Sequence, residues 1–137
     1  RHGSRHPARP LAADGSLSNV GALTLLDMVG DRDLTLTIPR NSTPWLVALA
    51  FAAARAEGVR DRFQLYPYAI GDDHVAFFER GVPAIDLIDF AFGSAPGLTD
   101  YWHTPADTLD KLSADSLDLV GRVVARMVAE LPALREK

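Results

Sequence analysis

Four polar spots interrupt apolar stretches of this 137-residue chain, and their residue types bound the chemistry it can do. Asp27 lies within Leu25-Leu26-Asp27-Met28-Val29-Gly30. A carboxylate in such a run is costly unless it has a hydrogen-bond partner or a metal. It is therefore either a functional group or a turn residue capping main-chain N–H groups. Asp72-Asp73-His74 follow Gly71. Adjacent acids and an imidazole could bind a metal, orient a catalytic group or cap the next helix, and capping accounts for one Asp at least cost. Asp86 and Asp89 straddle Leu87-Ile88, so strand alternation puts them on opposite faces. Asp89 at the strand end is the easier to solvate, whereas Asp86 needs a partner. In Tyr101-Trp102-His103-Thr104-Pro105-Ala106-Asp107-Thr108 the histidine is either a ligand beside an indole pocket wall or a structural imidazole. Asp107 and Ser113 read most simply as caps, and His2, Arg5, His6 and Asp14 as solvated groups.

The chain has no cysteine, which excludes disulfides, thiolate zinc sites and thiol catalysis. A metal site would use nitrogen and oxygen donors. Catalytic zinc takes three protein ligands and an open position. Asp27 and His103 are a partial set, with no His-x-Asp or Glu-Glu pair to complete it. Gly-rich phosphate loops, a Gly-x-Ser-x-Gly elbow and a His-Glu-x-x-His helix are absent too. Fourteen basic against eighteen acidic residues give a net charge of -4, which excludes a general nucleic-acid coat. No apolar run nears the roughly 20 residues of a membrane helix. With 47% hydrophobic and 23% charged residues, the chain reads as one globular domain.

The elements that must hold these residues alternate. Residues 1–19 read as a short helical turn and a loop, broken by Pro7, Pro10 and Gly15. The near-continuous apolar run 20–29 suits a strand buried on both faces. Leu34 to Ile38 alternates and stops at Pro39, which suits a second strand. Ser42 caps a helix with Pro44 in its first turn and Gly58 at its end. Phe63 to Tyr68 suits a third strand. Asp72 or Asp73 caps a short helix through Val75, Phe77 and Phe78 to Gly81. Pro83 opens a fourth strand, Ala84 to Phe90. Ser113 starts a last helix with Leu117, Val120, Val123, Val124, Met127, Val128 and Leu131 at helical spacing. Strands alternating with helices predict an α/β sheet with helices on its faces. The chain starts at Arg1 with neither an initiator Met nor a signal peptide, so we expect a piece of a longer protein. Its first and last strands are expected to lack neighbours.

Taken in order, Gly3-Ser4-Arg5-His6, Leu25 to Gly30, Asp72-Asp73-His74, Arg80-Gly81-Val82-Pro83 and Trp102-His103-Thr104 with Asp107 resemble metallopeptidase family twenty-eight. That family holds zinc aminopeptidases and glutaminyl-peptide cyclotransferases, and the likeness runs over almost the whole chain. It implies an αβα sandwich around a mixed, mostly parallel sheet, of which residues 1–137 are the C-terminal part. The upstream half would carry the His-x-Asp and Glu-Glu motifs with the remaining ligands and the general base. His103 matches the last zinc ligand. Asp27 matches a ligand of the second zinc in dizinc aminopeptidases. In the single-zinc cyclases its counterpart sits beside the metal in a proton-sharing network with a catalytic Glu, and Asp72 matches an acid of that network. Trp102 matches a cyclase pocket wall, and Asp86 stands where animal cyclases have a pocket His. The resemblance implies one zinc for a cyclase and two for an aminopeptidase, a peptide or protein N-terminus as substrate, and activity only in the full-length protein. An exported or periplasmic setting is common in the family. Aminopeptidase is the close alternative to cyclase, and a non-catalytic peptide- or partner-binding domain is the rival from another class.

Overall fold

The computed structural model describes residues 2–135, with the side chains of His2 and of residues 132–135 outside that description. The reading of His2 as solvated falls there. Four strands form one sheet in the order β1-β4-β2-β3: β1 Leu23–Asp27, β2 Leu36–Pro39, β3 Phe63–Tyr66 and β4 Ala84–Ile88. β1 and β4 run parallel, as do β2 and β3, while β2 meets β4 antiparallel at Thr37 and Ile88. The sheet is thus mixed and mostly parallel, as expected.

The helices are α1 His2–Ala13, α2 Pro44–Ala56, α3 Val75–Phe78 and α4 Ala114–Arg135. α2 and α4 cover one face of the sheet. Ile85 and Leu87 of β4, Leu36 and Ile38 of β2 and Phe63 of β3 pack there against Leu46, Ala50, Val120, Val123 and Met127. Burying such side chains contributes about 1.5–3 kcal/mol each, which makes this the main core. α3 lies on the other face, backed by α1, around Ala8, Ala76, Phe77 and Val82. Leu117 and Val128, expected on the buried face of α4, are half-exposed. They sit at the margins of a stripe that Val120, Val123 and Met127 already fill.

Local sequence accounts for the ends of α2. Pro44 occupies the first turn, where its missing N–H is not needed. Gly58, at φ +73°, ends the helix: its N–H donates to Arg55 O and that of Val59 to Ala54 O. The expected cap, Ser42, is instead buried one residue upstream. Thr43 stands at the start, yet its hydroxyl accepts from Ala84 N (2.9 Å) while its own N–H donates to Ala84 O (2.7 Å). Its side chain ties the helix to β4.

Three further expectations need correction. Residues 2–13 form a full helix despite Pro7 and Pro10. The carbonyls left unpaired by these prolines belong to Gly3 and His6, both at exposed positions that water can reach, and buried Ala8 anchors the helix. β1 is not buried on both faces. It is a sheet edge with Leu26 42% exposed, and the strands buried throughout are β2 and β4. Of the two strands expected to lack neighbours, β1 has one on a single side, β4, and so is an edge, whereas β4 is central and β3 forms the other edge. No helix among the described residues is long and apolar enough to cross a membrane.

Candidate active-site cleft

The parallel strands β1 and β4 are in register with Leu25 opposite Asp86 and Asp27 opposite Ile88. Side chains alternate, so Asp27, Asp86 and Ile88 share the face turned away from α2 and α4. The chain after β3 and the chain after β4 fold over that face beside Asp27 and Ile88, at the carboxyl ends of β1 and β4, where function gathers in open α/β sheets. They enclose a cleft of about 600 Å3 lined by Asp27, Tyr66, Tyr68, Ile70, Asp72, Ile88, Phe90, Trp102 and His103.

The Asp27 and Asp72 carboxyls lie side by side in this lining. Burial raises the Asp27 carboxyl above the usual carboxylate range, and the neighbouring Asp72 raises it further. Two like charges this close disfavour each other, so Asp27 holds its proton more tightly than a free carboxyl does. Asp72 does not cap α3. One of its oxygens accepts from Asp73 N (2.7 Å), which aims the carboxyl into the cleft.

His103 has φ +57° and Met28, next to Asp27, has φ +53°. Left-handed backbone in such side chains is strained, and strain of this kind persists where the surrounding fold demands it. The Trp102 indole stacks on the His103 imidazole at 4.1 Å between centroids. The rings continue through Phe90 (6.0 Å from Trp102) and Tyr66 (5.6 Å from Phe90) to Tyr68 (5.6 Å from Tyr66), making one wall of the cleft aromatic. The loop carrying His103 is held by Asp100, which accepts from Ser94 N (2.7 Å) and Ser94 Oγ (2.6 Å). Gly93 is required there, because a Cβ would come within 2.4 Å of Leu98 O.

Of the residues singled out from sequence, Asp27, Asp72, Trp102 and His103 converge on this cleft, and Asp86 does not line it. Asp86 lies beneath, fully buried, with Oδ2 3.6 Å from Nδ1 of the equally buried His74. Burial pushes the Asp86 carboxyl up to about 8, with Asp72 and Asp27 adding to it, and holds the His74 imidazole below its ordinary value. Asp89, expected to be solvated, is fully buried too. It accepts from Thr35 N and Ala91 N (2.9 Å each), and burial still pushes it up to about 6. Ser4 Oγ donates to Asp73 (3.0 Å), which joins the Gly-Ser-Arg-His segment to the Asp-Asp-His turn. Sequence reading missed the aromatic wall and the His74–Asp86 contact. The aromatic stretch Phe63 to Tyr68 was a signal for the first, and the need of Asp86 for a partner was a signal for the second.

The donors present, carboxylates and an imidazole, suit zinc. Among the described residues, however, no three His, Asp or Glu side chains come together as a metal centre. The cleft can supply part of a coordination sphere, neighbouring acids and an apolar wall.

Fold and cleft together define an α/β domain whose site is built from loops at the carboxyl ends of its strands. The chain belongs to peptidase family M28, whose model matches residues 1–128. The glutaminyl cyclase of an Acidobacteriales bacterium is 38% identical and superimposes with a TM-score of 0.86 over 94% of this chain and 45% of its own. The glutaminyl-peptide cyclotransferase of Drosophila melanogaster is 29% identical over 90% of this chain and 40% of its own length. A zinc aminopeptidase from Bacillus subtilis is 26% identical, with a TM-score of 0.74, over 93% of this chain and 32% of its own. These relatives are enzymes, and the chain spans less than half the length of each.

Proposed function

We propose that the chain forms the C-terminal part of a zinc-dependent enzyme acting on peptide N-termini, with glutaminyl-peptide cyclotransferase chemistry. The observation that carries this is the neighbouring Asp27 and Asp72 carboxyls facing the same cleft as the Trp102-stacked His103. Residues outside this chain would complete the zinc site and supply the general base.

In this reading His103 is a zinc ligand, and the bound metal would polarise the substrate carbonyl and stabilise developing oxyanion charge. The acidic side chains of Asp27 and Asp72 face the cleft together and draw in the peptide's α-ammonium. Once the ammonium has given up a proton, the amine attacks the γ-carbonyl of its own glutamine side chain. A carbon–nitrogen bond forms to the α-nitrogen, the bond to the amide nitrogen breaks, and that nitrogen takes a proton and leaves as ammonia. Asp27 is suited to relay this proton, because burial and the neighbouring Asp72 raise its proton affinity above that of a free carboxyl. Trp102 and Phe90 shield the cyclising atoms from water, which favours ring closure over hydrolysis.

The likeness to the Bacillus subtilis zinc aminopeptidase favours a second reading. Asp27 would then ligate a second zinc, and a water would be the nucleophile. Peptides with N-terminal glutamine, incubated with the full-length protein and followed by mass spectrometry, separate the two. Cyclisation loses one ammonia and nothing else, whereas an aminopeptidase releases the first residue. A native mass spectrum of the protein from its source adds the metal count, one for the cyclase and two for the aminopeptidase. A metal-free species at 14.9 kDa that changes neither peptide would leave a binding domain as the reading.

A further inference from the structure

Behind the cleft, His74 and Asp86 are the two most deeply buried ionisable side chains that face each other, both at 0% exposure. None of their four polar atoms has a hydrogen-bond partner among the described residues. An imidazolium and a carboxylate in this position would each be cut off from water with no other group to solvate them. That costs several kcal/mol per ion, which a single contact at 3.6 Å does not offset. One proton placed between Nδ1 and Oδ2 removes both charges and serves two of the four atoms at once.

The charged neighbours of Asp86 point the same way, and although Asp72 favours charge on the His74 imidazole, burial outweighs it. Asp72, on the turn before α3, and Asp27, on β1, both face Asp86 and disfavour a third negative charge there. The Asn41 main-chain carbonyl faces the imidazole and favours an N–H on it, although the ring makes no hydrogen bond in the static structure. With that N–H on Nε2, the Nδ1 lone pair is left to accept from Asp86. The pair also sits where it can act on the site. Asn41 Nδ2 donates to Ile70 O (2.8 Å) and Ile70 N donates to Asn41 Oδ1 (3.0 Å), which pins the chain just before Asp72. His74 pins it just after, since its carbonyl accepts from Phe77 N and Phe78 N and its ring reaches down to β4.

We infer that His74 and Asp86 share one proton as a neutral buried pair, and that this pair is a positioning device that fixes the turn presenting Asp72 to the cleft. Its bearing on catalysis rests on the reading of Asp72 given above, while the test below does not depend on activity.

The test is the long-range proton–nitrogen NMR spectrum of the histidine rings, recorded on the whole chain from about pH 8 down to about pH 5. The expected result is a neutral His74 in one tautomer, Nε2 protonated and Nδ1 accepting, across that range. Asp86→Asn should keep this tautomer, because a carboxamide N–H can donate to Nδ1 without charge. The Asp73 amide proton reports on the carboxyl of Asp72, to which it is bonded. It should stay in place in Asp86→Asn and move upfield in Asp86→Ala, where Nδ1 loses its donor and the turn loosens. An imidazolium at neutral pH, or loss of the tautomer in Asp86→Asn, would overturn the shared proton. An Asp73 amide unmoved in a folded Asp86→Ala would overturn the positioning role. Should Asp86→Ala not fold, His74→Phe, which fills the space without a ring nitrogen, must shift the Asp73 amide or the positioning role is overturned.

Discussion

Trp102 lies flat on His103, with 4.1 Å between ring centroids and 24° between planes, so the indole braces an imidazole whose own backbone is strained at φ +57°. The bracing ring is itself 43% exposed and contributes little to the core. Trp102→Ala should therefore leave the thermal midpoint nearly unchanged. A stacked pair contributes about 0.5–1.5 kcal/mol, so kcat/KM of the full-length enzyme should fall roughly three- to tenfold. Trp102→Phe should recover most of the loss. Steady-state kinetics on a peptide substrate checks both, and wild-type kinetics in the Ala variant would remove Trp102 from the site.

Asp27→Asn takes away a carboxyl that could transfer a proton or serve as an anionic metal ligand. Turnover should drop by at least about a hundredfold, the usual scale for losing a proton-transfer group. Bound zinc, counted by elemental analysis of the full-length protein, should stay constant in a cyclase and fall in a dizinc aminopeptidase. Unimpaired turnover would show that Asp27 is only a turn residue.

The buried carboxyls make stability depend on pH in a definite direction. Asp86 keeps its proton to about pH 8 in the folded chain and Asp89 to about pH 6, whereas unfolded carboxyls lose theirs near 3.8. Across that interval the folded state binds more protons, so stability falls as pH rises. His74, held neutral when folded, works the opposite way below about pH 6.5 and offsets part of the fall there. From about pH 6.5 to 8 Asp86 contributes a slope of up to about 1.4 kcal/mol per pH unit, and Asp27, whose carboxyl is raised too, acts in the same direction. Denaturant titrations at several pH values should show the fall in wild type and a flatter profile in Asp86→Asn. A stability that rises with pH in this window would contradict a protonated Asp86.

Gly93 sets the path of the loop that ends at Trp102 and His103. In Gly93→Ala the new methyl would come within 2.4 Å of Leu98 O and 2.6 Å of Asp100, and the loop must move. Overpacking of this kind costs about 1–3 kcal/mol. Activity should fall further than Trp102→Ala alone brings about, because Trp102 and His103 shift together. A variant with native kinetics would show that the loop is not what places His103.

Much of the fold was legible in the sequence because its signals are local. The period-two pattern of β2, the proline and glycine that bracket α2, and the helical spacing of Val120, Val123 and Met127 each reflect contacts within one element. α1 was not legible. Pro7 and Pro10 argue against a helix, and only the burial of Ala8 against Ala76, Phe77 and Val82 from distant sequence outweighs them. Of the candidate site, the identities of Asp27, Asp72, Trp102 and His103 were legible from residue type and from the order of motifs. The place of Asp86 was not, since a strand pattern names the face of a side chain but not what lies over it.

By itself the sequence determined the alternation of strands and helices, the exclusion of thiol chemistry, and which acids and imidazoles were on hand. Only the tertiary structure decided that β4 rather than β1 is central, that Asp27 and Asp72 meet across 45 positions of chain, and that Asp86 and Asp89 are dry. The physical reason is that periodicity and capping arise from neighbours a few residues apart. Strand order, the meeting of two carboxyls and the removal of water depend on segments that touch only when the whole sheet has closed.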